Sequence, residues 1–262
     1  MKKLIIPLFN FDRENRSILD LDDKSKLVPF VNQERHLSIA KYAIEIEVGD
    51  SDLPRNALNK ILVIFKLFKD DLINSNLIIE GGKPVDRLPH YTYWIDPHRG
   101  APIYRLSSDE ETQFCSFWKN YAEINAENFA VYRFNLADYE PFSSDRFVNY
   151  IESLEYLLVP DSSEGEIRFK FSMRGAILLG KTVGEREGIL DLFKAAYDLR
   201  SAIVHGNNEK ITKLKGKRTW EDVTKPIRAY TRDAIKFFFE NGCLDNAEER
   251  SKLIQRITIF SR

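Results

Sequence analysis

The sequence predicts an α+β protein that is mostly helical, with a C-terminal helical bundle and a smaller N-terminal strand-containing region. Three observations carry this. Between His36 and Val48, Ile44, Ile46 and Val48 alternate with Glu45 and Glu47, the period-two pattern of a half-buried strand. From Ser107 onward, apolar residues recur at three-and-four spacing behind capping residues, the pattern of amphipathic helices. Apolar residues make up 43% of the 262, with 18 Phe and 11 Tyr, enough for a sizeable core and too many for a disordered chain. The expected division is 1–106, an α/β region whose role the sequence does not reveal, and 107–262, a helical domain.

The N-terminal region reads as follows. Leu4-Ile5-Ile6 is a short apolar strand, and the alternating run to Val48 is a second. Gly49-Asp50-Ser51-Asp52 is a turn, with Asp52 placed to cap a helix beginning at Pro54. Leu58, Ile61, Leu62, Phe65 and Phe68 give that helix its buried face. Gly81-Gly82-Lys83-Pro84 ends a strand made by Leu77-Ile78-Ile79. Pro89 to Arg105, rich in Tyr, Trp and Pro, reads as irregular with one or two short strands. His90, Asp96 and His98 lie within it, but no helical or zinc-finger spacing makes them a metal site.

The helical region opens at Ser107 or Ser108, with Glu110 and Glu111 behind in a capping pattern. Phe114, Phe117, Trp118 and Tyr121 form an aromatic stripe of the kind that packs a core. A helix over Asn125–Tyr139 ends at Glu140-Pro141. Ser143 or Ser144 caps the next, with Phe147, Ile151, Leu154, Leu157 and Leu158 inward. Pro160–Gly165 is a loop, Arg168–Leu179 a helix closed by Gly180, and Glu185–His205 a longer one. Asn207–Lys217 reads as a polar loop, and Trp220–Glu240 as a helix carrying Val223, Ile227, Tyr230, Ile235 and Phe238.

Charge and cysteine content narrow the function classes. A net charge of −1 announces no general nucleic-acid binder, so any such contact must come from a local patch. Cys115 and Cys243 are far apart, have no metal-ligand spacing, and read as free thiols of a reducing compartment. Met1-Lys2-Lys3 precedes too short an apolar run for a signal peptide. Leu62–Phe68 is far too short to span a bilayer. The expectation is a soluble cytoplasmic protein with no membrane partner.

Chemistry concentrates in Tyr197-Asp198-Leu199-Arg200-Ser201-Ala202-Ile203-Val204-His205-Gly206. Ile189, Leu192, Phe193, Ala196, Leu199, Ile203 and Val204 set a buried face, and Arg200 and His205 interrupt the apolar pattern. Gly206 suits the residue after the last turn, because it accepts a left-handed conformation. His205 then sits where the helix dipole favours a cation, so a simple cap is one reading of it. Ser201 and His205 share a face, whereas Arg200 lies about 140° round the helix from His205. Glu152, Glu155, Arg174 and Arg200 fall on helices that must pack together. Glu155 sits among leucines and needs a partner, for which Arg174 is the candidate. That pair reads either as a buried ion pair fixing helix register or as support that orients Arg200. Lys210, Lys213, Lys215, Lys217, Arg218, Lys225, Arg228 and Arg232 make the segment after the motif basic, either a solvated loop or a phosphate-backbone contact.

The stretch YDLRSAIVHG resembles the Arg-x(4–6)-His signature of the HEPN superfamily, and is most similar to the Apea-like HEPN group. DRFVNYIESLEYLL, Asp145–Leu158, resembles the acidic helix of that group, and FKFSMRGAILLG, Phe169–Gly180, its Arg-x-Ala-x-Leu-Leu helix. The likeness covers about Ser107–Gly242, and more weakly LNKILVIFKLFKD before it. Ser201 departs from the more strongly polar residue that many HEPN nucleases carry after the arginine, and no His-x-Tyr extension follows His205.

The resemblance implies a HEPN-type bundle and metal-independent RNA cleavage, without cofactor or metal. Arg200 and His205 would be catalytic and Ser201, Glu155, Arg174 and Asp145 supporting. Taken alone, Asp145-Arg146 at a helix start reads as capping and surface pairing. His205 would move a proton and Arg200 would stabilise phosphate charge. Lys213, Lys215, Lys217 and Arg218 would contact RNA. It further implies a homodimer with the site at a two-fold cleft, a regulatory partner protein, and a defence or stress-response setting. The alternative is a non-catalytic HEPN module that binds RNA or protein.

Overall fold

A computed structural model describes residues 1–31, 40–71, 73, 75, 77–87, 103–161 and 166–260. His90, Asp96 and His98 lie outside the described residues. The chain divides into two compact units, Met1–Ala126 and Glu127–Arg262.

The first unit holds a six-stranded sheet of order β3-β4-β5-β1-β6-β7, formed by β1 (Lys2–Leu8), β3 (Leu19–Asp20), β4 (Ser25–Pro29), β5 (Tyr42–Val48), β6 (Leu77–Glu80) and β7 (Lys83–Arg87). Every strand pair in that sheet is antiparallel. Lys2 of β1 stands opposite Val48 of β5, and Leu8 opposite Tyr42. This register puts Leu4, Ile6, Ile44 and Ile46 in the core while Glu47 is exposed, as the alternation predicts. Gly81 and Gly82 both take positive φ, 57° and 77°, as a two-residue hairpin turn requires. A second, parallel pair joins β2 (Phe11–Arg13) to β8 (Tyr104–Leu106).

Helix α1 (Pro54–Phe68) is more buried than its five-residue stripe predicts: Val63, Ile64 and Leu67 are also inside. Asp52 does not cap it. That carboxylate instead accepts the Gly49 N–H at 2.8 Å, and Leu53 holds the cap position before Pro54. Helix α2 (Ser108–Tyr121) opens with the Ser107/Glu110 capping box, and its stripe packs on α1 through Phe65–Phe114 and Phe68–Phe117. The aromatic stripe is therefore core, and α2 belongs to the first unit rather than with the helices after it.

The second unit is all-helical among the described residues: α3 (Phe129–Ala137), α4 (Ser143–Leu158), α5 (Ile167–Leu179), α6 (Val183–Val204), α7 (Asn208–Lys215), α8 (Trp220–Glu240) and α9 (Ala247–Phe260). Helix α4 runs through its middle, against α3, α5, α6, α8 and α9. Phe147, Tyr150, Ile151, Leu154, Leu157 and Leu158 are all 1% exposed or less, the face that the spacing predicts. Phe142 stands at its cap, so neither Ser143 nor Ser144 caps it. Asn128 caps α3, accepting the Ala130 N–H at 3.0 Å, so the helix starts at Phe129 rather than at the expected Asn125. Gly175 of α5 faces Phe193 of α6 so closely that a Cβ there would meet Phe193 Cε2 at 2.3 Å. This lets the two helices approach and stack Phe171 on Phe193 at 5.0 Å. Inside the bundle the Tyr150 hydroxyl donates to Asp138, whose carboxylate also pairs with Arg228 at 3.4 Å.

Two further stretches differ from the sequence reading. Asn207–Lys217 is not a loop: Asn207 accepts the Lys210 N–H at 2.9 Å and starts α7. Helix α9 follows Asn246, whose side chain accepts the N–H groups of Glu248 and Glu249. No helix among the described residues is long and apolar enough to cross a membrane.

Candidate functional site

Helix α6 is fixed at both ends. Thr182 and Glu185 form a capping box at its start. At its end Gly206 takes φ +65°. There the Gly206 N–H reaches the Ile203 carbonyl and the Asn207 N–H the Ala202 carbonyl, each at 2.9 Å, a Schellman motif. Between these ends Ile189, Phe193, Ala196, Leu199 and Ala202 are buried. Leu192 and Ile203 are partly covered and Val204 is 53% exposed, so the buried face ends at Ala202, two residues short of Val204.

That geometry separates the two polar residues of the motif. His205 is the C-terminal cap, exposed, with its N–H donating to the Ser201 carbonyl at 3.1 Å. Its imidazole has no hydrogen-bond partner among the described residues. Arg200 points into a cleft of about 430 Å³ lined by Phe129, Arg133, Glu152, Glu155, Tyr156, Val159, Pro160, Arg200, Ala247 and Arg250. His205 is not among these residues.

Glu152 holds two of the cleft arginines. Its Oε2 lies 3.2 Å from Arg133 Nε, and its Oε1 lies 3.7 Å from Arg200 Nη2. The second contact is an ion pair too long for a hydrogen bond, and Arg200 Nε is buried without a partner. Glu155 is one turn along α4. Its Oε2 is also buried without a hydrogen bond, and burial pushes its carboxyl above the ordinary range; Arg200 opposes that shift and Glu152 adds to it.

Arg174 is not Glu155's partner. It forks onto Asp161, with Nη2 at 2.9 Å from Oδ2, and also donates to the Leu158 carbonyl at 3.0 Å. That pairing drives the Asp161 carboxyl far below its usual range, the Arg174 hydrogen bonds being the largest cause. Arg174 thus ties α5 to the end of α4, and Arg200 supplies the charge beside Glu155. Asp145 lies in the first turn of α4, accepting from the Ser144 hydroxyl at 3.3 Å. It does not line the cleft.

The chain matches no family model, no curated protein and no solved structure.

The basic segment splits in two. Lys213 and Lys217 are exposed. Lys215 Nζ donates to the Arg218 carbonyl, and the Arg218 guanidinium turns back onto the Leu214 and Lys215 carbonyls at 2.8 and 3.2 Å. These two close the end of α7, as cations near a helix C-terminus do. Arg228 is withdrawn into the bundle by Asp138. Sequence reasoning missed Arg133, Arg250, Phe129 and Tyr156 as cleft residues. Asn246 ahead of Glu248 and Glu249, then Leu253, Ile254 and Ile257, is the signal that would have given α9 and hence Arg250.

Proposed function

We propose that the second unit is a metal-independent endoribonuclease of the HEPN type that works as a homodimer. The observation that carries this reading is the build of the α6 end. Arg200 is gathered by a carboxylate into a cleft, while five residues on His205 stands exposed at the helix terminus with an unengaged ring. In the reaction His205 takes the proton of an RNA 2′-hydroxyl, and the 2′-oxygen attacks the adjoining phosphorus. The 5′-oxygen then leaves with a proton from the second copy's imidazole, giving a 2′,3′-cyclic phosphate and a 5′-hydroxyl end. Arg200 stabilises the charge that builds on the phosphate oxygens. One helix does not turn both groups to the same side, so two copies about a two-fold axis complete the site. Exposed Lys213 and Lys217 supply backbone contacts. A regulatory partner and a defence or stress-response role come from the resemblance alone, and a cytoplasmic setting from the two free cysteines.

The test is incubation of pure protein with end-labelled structured and unstructured RNA in EDTA. Cleavage that persists in chelator and is lost in His205→Ala supports the reading. Cleavage abolished by chelator and restored by a divalent ion overturns it. The second reading, a non-catalytic module that binds RNA or protein, is favoured by the separation of Arg200 from His205 within one copy; RNA binding without cleavage selects it.

A further inference from the structure

We propose that the cleft beside Arg200 seats one nucleotide of a single-stranded RNA, with Arg250 and Arg200 on its phosphate and Phe129 offered to its base. The inference rests on the RNA-cutting reading and adds where the strand enters.

Arg250 is the first observation. It is 1% exposed, yet no carboxylate pairs with it among the described residues. One Nη donates to the Leu244 carbonyl, the guanidinium lies 4.4 Å over the Tyr156 ring, and Nε has no partner. An arginine buried without an ion pair is costly unless an anion completes it. The charge of the lining is the second observation. Arg133, Arg200 and Arg250 oppose Glu152 and Glu155, three positive against two negative, so the cleft holds a net positive charge even with both carboxylates ionised. Arg133 and Arg200 share one carboxylate between them, which leaves guanidinium donors for a phosphate.

The third observation is Phe129. It is a large apolar ring at the first position of α3, and it remains 41% exposed. Tyr156 lies 5.2 Å from its centroid, and the Arg133 guanidinium lies 5.2 Å from it. Aromatic and guanidinium planes beside cations are what unstacked bases rest on. A volume of about 430 Å³ suits a small ligand, and bases held inside a duplex cannot enter it. A single strand is therefore the form that fits.

The test uses the full chain carrying His205→Ala, so that RNA is not consumed, and a fluorescein-labelled adenosine pentaribonucleotide read by fluorescence anisotropy. Phe129→Ala in that background is expected to weaken binding about tenfold, the size of one base stack, in a chain that still melts in one cooperative transition. Arg250→Lys keeps the charge but loses the planar fork, and is expected to weaken binding to a similar degree. A duplex of the same sequence is expected to bind less tightly than the single strand. Binding within twofold of the parent for both variants overturns the cleft assignment, even if the wild-type chain cuts RNA. Binding that depends on Phe129 in a chain that never cuts RNA leaves the cleft assignment standing and removes the nuclease. No binding of the pentamer by the parent overturns the cleft assignment.

Discussion

Arg200 Nη2 lies 3.7 Å from Glu152 Oε1, while the other oxygen of the same carboxylate lies 3.2 Å from Arg133 Nε. One acid on α4 thus sets the position of two cations, from α3 and α6. Glu152→Gln removes the charge but keeps the shape. The expected result is tighter RNA binding, because a negative charge leaves a cation-lined cleft, together with a lower cleavage rate, because Arg200 is no longer held. Steady-state kinetics should show KM and kcat falling together. Both side chains are about a quarter exposed, so the stability loss should be about 1 kcal/mol or less.

His205→Ala should abolish cleavage and change stability by roughly 0.5 kcal/mol or less, since the ring is exposed and makes no packing contact of note. Arg200→Ala should also abolish cleavage and should lower the melting temperature more, because it strips Glu155 of the cation beside it. Excess His205→Ala protein, mixed with wild type and given time to exchange subunits, should suppress activity. A monomer by sedimentation that cuts at full rate would exclude the composite site.

Glu155 predicts a pH dependence. Burial raises its folded pKa above its ordinary value, so the folded state binds the proton more tightly than the unfolded chain does. Its protonated form favours the fold. That contribution is present below the unfolded carboxylate value and is lost as pH rises through the raised folded value. Glu155→Gln should therefore be more stable than wild type above that window and should converge on it below. Urea melts across a pH series read this, and a variant less stable at every pH contradicts it.

Gly175→Ala should destabilise the bundle by about 1–3 kcal/mol, despite the better helix propensity of alanine. The added Cβ would strike Phe193 Cε2 at 2.3 Å. Phe193→Leu in the same chain should recover part of the loss, and the double-mutant cycle gives the coupling.

The basic segment gives a split result. Lys213→Ala with Lys217→Ala should weaken RNA binding and lower the salt slope by about 1.4, at roughly 0.7 per phosphate contact on a single strand. The melting temperature should hold. Lys215→Ala with Arg218→Ala should cost stability instead, because both close the C-terminal end of α7.

The fold was legible where a period was local, and caps were less reliable, since Asp52 and Ser143 or Ser144 do not cap the helices they precede. The alternation around Ile44 and Ile46, the Ser107/Glu110 box, and the faces of α4 and α8 all follow from neighbours in sequence. Helix α7 was hidden because Asn208–Lys215 buries nothing, so it has no apolar stripe to read and only its Asn207 cap to announce it. The cleft was half legible. Glu152, Glu155 and Arg200 stand out as charges among apolar residues. Arg250 is conspicuous only once α9 is brought against α4 and α5, and Phe129 only once α3 lies along α4, and no local spacing encodes either. Arg174 was given the wrong acid for the same reason: Asp161 lies just past the end of α4, where the chain's turn decides the partner.

Helix α6 is closed by a side-chain box at Thr182 and by a backbone lock at Gly206. Twenty-two residues at about 1.5 Å each make a rod of about 33 Å whose phase is set at both ends. Removing or adding one residue between Arg200 and His205 would swing one against the other by roughly 100°. It would also push a residue with a Cβ into the left-handed slot that Gly206 fills. Insertions and deletions are therefore far more disruptive here than substitutions. The five-residue interval in this chain behaves as a gauge: its side chains can be exchanged, but its length is tied to the phase that Gly206 sets.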